Sequence, residues 1–199
     1  MDNNLINKLE KFYDLNDHEK QETLISILNL ANDNPEKFIN AIQNEKFNRL
    51  NNLPIIYEAL SKDLDNWADF FITEIERLFE TAKQSKTPYN ILNHLQEFTF
   101  IDPNKFKHRD RIVEILATQL DNENSTFRFC SLDLLPDFVK DDDMLTIKKM
   151  KKLLKDENWR IRYWTYLNLK DIGVLDEQID KLSWTDRLRS KFLNNLKFQ

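Results

Sequence analysis

The sequence predicts an all-α fold of stacked helical hairpins, and three observations carry that prediction. The first is glycine usage. Gly173 is the single glycine among 199 residues. Tight β-turns, bulges and phosphate loops all draw on glycine's conformational freedom, and neither a Gly-rich dinucleotide fingerprint nor a P-loop can be written with one. The second is a self-match. Asn124, Arg128, Leu135 and Asp137 recur 34 residues later as Asn158, Arg162, Leu169 and Asp171. A period of that length marks repeated helix pairs that bury a shared core. The third is punctuation. Asn34-Pro35, Thr87-Pro88 and Asp102-Pro103 each set a capping residue before a proline at the first helical position.

The elements follow in order. Asn16 and Glu19 form a capping box ahead of Leu24, Ile27, Leu28 and Ala31. Pro35 leads into Phe38, Ile39 and Ile42. From Trp67 to Ala82, Phe70, Phe71, Ile75, Leu78 and Phe79 make a broad apolar stripe. Pro88 opens a helix through Ile91, Leu92 and Leu95, and Pro103 one through Phe106, Val113, Leu116 and Leu120. Asp141 to Asp143 complement the N-terminus of a helix carrying Leu145, Ile147, Met150 and Leu154. The helix from Asn158 to Ile172 ends at Gly173, where a left-handed residue belongs, and Ser183 caps a last helix with Leu188, Phe192 and Leu196. No Pro-, Gly- or Ser-rich linker interrupts the chain, so residues 1–199 read as one domain. Residues 1–100 are expected to be degenerate or capping hairpins, and 101–199 clearer repeats.

Composition narrows the function classes. Hydrophobic residues are 41% and charged residues 32%, with 14 phenylalanines, which is a globular balance. The net charge of −5 is uneven: residues 1–100 hold 10 basic and 17 acidic side chains, residues 101–199 hold 19 and 17. A pI near 5.3 argues against nucleic acid, because a binding face for it is basic throughout. Cys130 is the sole cysteine, which excludes an intrachain disulfide and a cysteine zinc cluster. The N-terminus lacks a basic start followed by an apolar stretch, and no apolar run reaches the roughly 20 residues that span a bilayer. The expectation is a soluble, cytoplasmic monomer with no membrane contact.

Leu153 to Gly173 resembles a HEAT repeat. Members of that family set an aspartate in the turn between two helices and open the second helix with a Val-Arg-type pair. A small residue, a leucine and an isoleucine follow at fixed spacing. Here Asp156, Ile161-Arg162, Thr165, Leu169 and Ile172 match that pattern. The upstream copy offers Phe127-Arg128, Ser131, Leu135 and Phe138, with Asn122 at the aspartate position. The resemblance implies a right-handed α-solenoid of about five antiparallel helix pairs, whose second helices line an inner, ligand-binding face.

Angular spacing divides the Asn158–Ile172 helix. Ile161, Trp164, Thr165, Asn168 and Ile172 form the expected core arc. Trp159, Tyr163, Tyr166 and Lys170 fall opposite, and Phe129 continues that side in the preceding repeat. Two explanations stand. Those aromatics pack under the helices after Leu175, or they are anchors for a protein partner, where Tyr and Trp are enriched. Arg128 and Arg162 are expected to bond turn aspartates or carbonyls, with Asp156 the partner of Arg162. The basic cluster of Lys105, Lys107, Arg109 and Arg111, and the run of Lys148, Lys149, Lys151, Lys152 and Lys155, read first as solvated helix faces and second as sites for an acidic partner.

No metal, cofactor or catalytic residue is expected. His18, His94 and His108 are scattered, and the His94–Glu97 pair has no second copy on a facing helix. Asp121 to Ser125 resembles a calcium loop until Thr126 occupies the glycine position. Cys130 sits beside a core position, as an inert buried thiol does. The leading expectation is therefore a non-enzymatic scaffold that binds a protein of unknown identity through Trp159, Tyr163, Tyr166, Lys170 and Phe129. One rival is a DNA glycosylase of the HEAT-like alkylpurine type, of which Trp159, Arg160 and Trp164 give a superficial echo. The other is a small immunity- or inhibitor-type protein, which size and acidity fit.

Overall fold

The computed structural model describes residues 8–42, 53–175 and 185–186. Among the described residues every regular element is helical, with no strand. The helices are α1 (Asp17–Asp33), α2 (Pro35–Ile42), α3 (Leu53–Leu60), α4 (Leu64–Lys83), α5 (Pro88–Leu92), α6 (Arg109–Gln119), α7 (Ser125–Phe138), α8 (Met144–Lys152) and α9 (Trp159–Asp171). No described helix is long and apolar enough to cross a membrane. Packing groups the chain into two compact units. One comprises residues 1–71 and 97–107, the other 72–96 and 108–199.

The first unit is built on aromatic rings. Tyr57 of α3 is almost fully buried and meets Phe70, Phe71 and Phe98 with ring centroids 6.2, 6.1 and 5.1 Å apart. Phe106 closes on Phe71 at 6.5 Å. Edge-on and tilted ring pairs of this kind add to simple area burial. Trp67 packs on Phe38 and donates its Nε1–H to Asn32 at 2.8 Å, so its one polar atom is satisfied. The capping box predicted at Asn16 and Glu19 is present in both directions.

The second unit carries two successive helix pairs. α6 packs on α7, α8 packs on α9, α7 contacts α9 and α6 contacts α8. α5 lies against α7. Equivalent residues start the second helix of each pair. The Asn124 side chain accepts the Thr126 N–H, and that of Asn158 accepts the Arg160 N–H. One residue pair before each cap, Asn122 Oδ1 takes the Asn124 N–H and Asp156 Oδ1 takes the Asn158 N–H. α9 gives way to Gly173 at φ +80°, the left-handed conformation that glycine adopts without strain.

One helix prediction changes. Asp102-Pro103 begins a turn, not a helix. The Asp102 carboxylate accepts the Asn104 N–H and its carbonyl accepts the Lys105 N–H, so the local bonds favour a turn. Helix α6 starts at Arg109, after Phe106 has already been buried. The predicted final helix lies outside the described residues except for Thr185 and Asp186, which are helical.

Candidate functional site

The second helices α7 and α9 show two different edges. At their N-terminal ends, each carries an arginine clamp. Arg128 grips Asp156 through Nε at 2.7 Å and Nη2 at 3.0 Å, while Nη1 donates to the carbonyls of Asn122 and Glu123. Arg162 repeats the arrangement. It grips Asp186 at 2.8 and 2.9 Å and donates to the carbonyls of Asp156 and Glu157. Both guanidinium pKa values are raised, first by the hydrogen bonds to the carboxylate. The register is one repeat later than the sequence predicts. Arg162 uses the backbone carbonyl of Asp156, and the Asp156 carboxylate serves Arg128. The sequence expectation of a structural role for these arginines fits this geometry, since planar guanidinium matches carboxylate bidentately.

Further along the same helices, α7 and α9 border an open cleft of about 620 Å³. Asp133, Pro136, Asp137, Val139, Lys140 and Asp141 line it from α7 and the segment after it, and Trp164, Asn168, Asp171 and Ile172 from α9. One hydrogen bond across it follows from a local feature of the chain. Pro136 has no N–H, so the carbonyl four residues earlier, on Leu132, is left without its helical donor. Asn168 Nδ2 reaches across from α9 and donates to that carbonyl at 2.8 Å. The buried Asn168 amide therefore ties the two helices at the cleft.

Trp164 departs from the core arc predicted for it. It is only half-buried and donates Nε1–H to Asp133 at 2.8 Å. Ile172 is half-buried as well, and Leu169, fully buried, takes the core position. The reason is geometric: α9 leans on α7 through Ile161, Thr165, Asn168 and Leu169, which leaves the Trp164 side facing the cleft.

Of the predicted partner-binding residues, Trp159, Tyr163, Tyr166 and Phe129 are half-buried and Lys170 is exposed. The Trp164 ring joins two of them, with centroids 6.2 Å from Phe129 and 6.5 Å from Tyr163. Arg160 stacks over Trp159 at 5.9 Å. None of the five predicted residues, Trp159, Tyr163, Tyr166, Lys170 and Phe129, lines the cleft; Trp164, beside two of them, does. Residues that sequence reasoning missed are Asp133, Asp137, Asp171 and Tyr89. The 34-residue match of Asp137 with Asp171 was the signal available for two of them.

The cleft carries negative charge. Four aspartates face one lysine, and among the described residues none of the four has an ion-pair partner. Asp133 is held by neutral donors, Trp164 Nε1 and Gln96 Nε2 at 2.7 Å. Asp137 has its pKa raised, by burial first and by the Asp133 charge second. Tyr89 of α5 is raised too, by burial, Cys130 and Asp133, with Arg160 pulling the other way. The buried Cys130 thiol is pushed up to about 12, chiefly by burial, so at neutral pH it is no nucleophile. Comparison with protein-family models, curated proteins and solved structures finds no match for this chain.

Proposed function

We propose that this protein is a non-enzymatic HEAT-like repeat scaffold, a right-handed α-solenoid, that binds a protein partner through its second helices. The observation that carries the reading is the run of half-buried rings Phe129–Trp164–Tyr163 beside an open cleft. Large, rigid aromatic side chains bury area at little entropic cost, and they dominate binding hot spots. The repeated caps and arginines support the repeat reading, because they recur at one offset of 34 residues, and Arg128 joins neighbouring helix pairs.

The test is affinity capture with the wild type and with a Phe129→Ala, Tyr163→Ala double variant. The variant is expected to lose the wild type's specific partner while keeping its helical circular dichroism and melting temperature. Retention of the partner would end the reading, and loss of the fold would make these residues core. A second reading has one observation in its favour: the Asp133 carboxylate stands beside Phe129 and Trp164, the residue types that HEAT-like DNA glycosylases use. The unpaired carboxylates repel a phosphate backbone, whose neutralisation such binding requires. Retardation of an alkylated duplex at low salt would favour that reading over the scaffold.

A further inference from the structure

Three features of the cleft are energetically unfavourable in the free protein. Asp137 and Asp171 each sit in the last turn of a helix, at the negative end of its dipole, where an anion is disfavoured. They are repeat equivalents, so the same unfavourable choice is made twice. Asp133 and Asp137 are four residues apart on α7, and like charges at that spacing repel. Among the described residues Lys140 is the one cation lining the cleft and it forms no ion pair with these carboxylates, whereas Arg128 and Arg162 on the same helices are matched to carboxylates. No three of these carboxylates come together at metal-ligand spacing among the described residues. The cleft also has an apolar part, from Pro136, Val139, Trp164 and Ile172.

We infer that the cleft receives a basic segment of a protein partner, one that presents lysine or arginine to Asp133, Asp137 and Asp171 and an apolar side chain to Trp164. This rests on the protein-binding reading above and gives it a partner chemistry. Charge complementarity is the argument. A bound ammonium or guanidinium relieves the carboxylate repulsion and the unfavourable helix-end placement together. The indole beside Asp133 offers both apolar contact and a π face for the cation. This chemistry is opposite to the acidic partner that the lysine runs suggest.

The experiment is fluorescence anisotropy with two labelled synthetic peptides that share their leucines, one with lysine and arginine at the other positions, the second with glutamate there. The full-length protein is expected to bind the basic peptide, and more weakly as salt rises, and to ignore the acidic one. An Asp137→Asn, Asp171→Asn variant leaves the Trp164–Asp133 bond in place. It is expected to bind the basic peptide about tenfold more weakly, the loss of one good charge pair. Equal binding of both peptides, no binding of the basic one, or an unchanged affinity in the variant would overturn the inference. If the basic peptide fails while the Phe129→Ala, Tyr163→Ala variant still loses its captured partner, the scaffold reading survives and only the partner chemistry falls.

Discussion

The clamp edge and the cleft edge of α7 and α9 use the same residue types to opposite ends. At the clamp edge both arginines are matched to carboxylates. The Arg128 side chain is 9% exposed and its partner Asp156 5%, so the pair is nearly dry and its lone pairs and protons are used. At the cleft edge, Asp133, Asp137 and Asp171 have no ion-pair partner among the described residues. A fold that can place arginine against aspartate twice, with carbonyls filling the remaining donors, does not lack the means to neutralise Asp137 and Asp171. The contrast separates charges that hold neighbouring helices together from charges left available.

The largest test of that contrast is at the clamp. Arg128→Ala leaves the Asp156 carboxylate buried without its cation, and breaking a buried pair in this way costs about 3–5 kcal/mol. Chemical denaturation should show the loss as a lower midpoint. Arg162 is 23% exposed, so water compensates part of its removal even though Asp186 is 2% exposed. Arg162→Ala is therefore expected to cost less than Arg128→Ala. An equal or greater cost would show that exposure does not rank the two clamps. A negligible cost for Arg128→Ala would remove the structural role itself.

These clamps were half legible in the sequence. The 34-residue spacing of Arg128 and Arg162 and of the caps Asn124 and Asn158 is written in the chain, because each repeat needs the same local hydrogen bonds. Which aspartate serves which arginine was not. Asp156 lies six residues before Arg162 and 28 after Arg128, and only the packing of one pair on the next decides between them. The cleft was less legible. An angular plot of α9 puts Trp164 within reach of the core arc. It does not contain α7, so it cannot place Asp133 opposite the indole or show that Pro136 frees a carbonyl for Asn168.

That carbonyl supplies the next test. Asn168→Ala leaves the Leu132 oxygen without a donor at the base of the cleft. An unsatisfied buried acceptor costs about 1–3 kcal/mol, with loss of packing included in the upper part of the range. Thermal melting should place this variant between Arg128→Ala and the wild type. Peptide binding should weaken with it, because Asn168 ties the two helices that flank the site. A variant with unchanged stability would mean that another donor reaches Leu132.

The smallest expected effect has the opposite sign, and it bears most directly on the contrast between the edges. The charged and titratable groups around Asp137 in the cleft are Asp133, Asp141 and Asp171, with Lys140 the one cation. Burial and Asp133 raise the Asp137 pKa above the ordinary carboxylate range. Between the ordinary and the raised value, the folded state binds more protons than the unfolded state, so stability falls as pH rises through that window. Asp137→Asn removes the charge and with it the fall. Because the Asp137 side chain, though partly covered, keeps contact with solvent, the gain at neutral pH is that of a relieved surface repulsion, about 0.2–0.5 kcal/mol. Melting curves of wild type and variant should converge at acid pH, below the ordinary carboxylate range, and separate above the raised value with the variant higher. The same substitution should weaken the basic peptide. A residue whose removal stabilises the fold and impairs binding is held for the partner. If Asp137→Asn instead destabilises the protein at neutral pH, its carboxylate belongs with those of the clamps, and the distinction between the two edges fails at that residue.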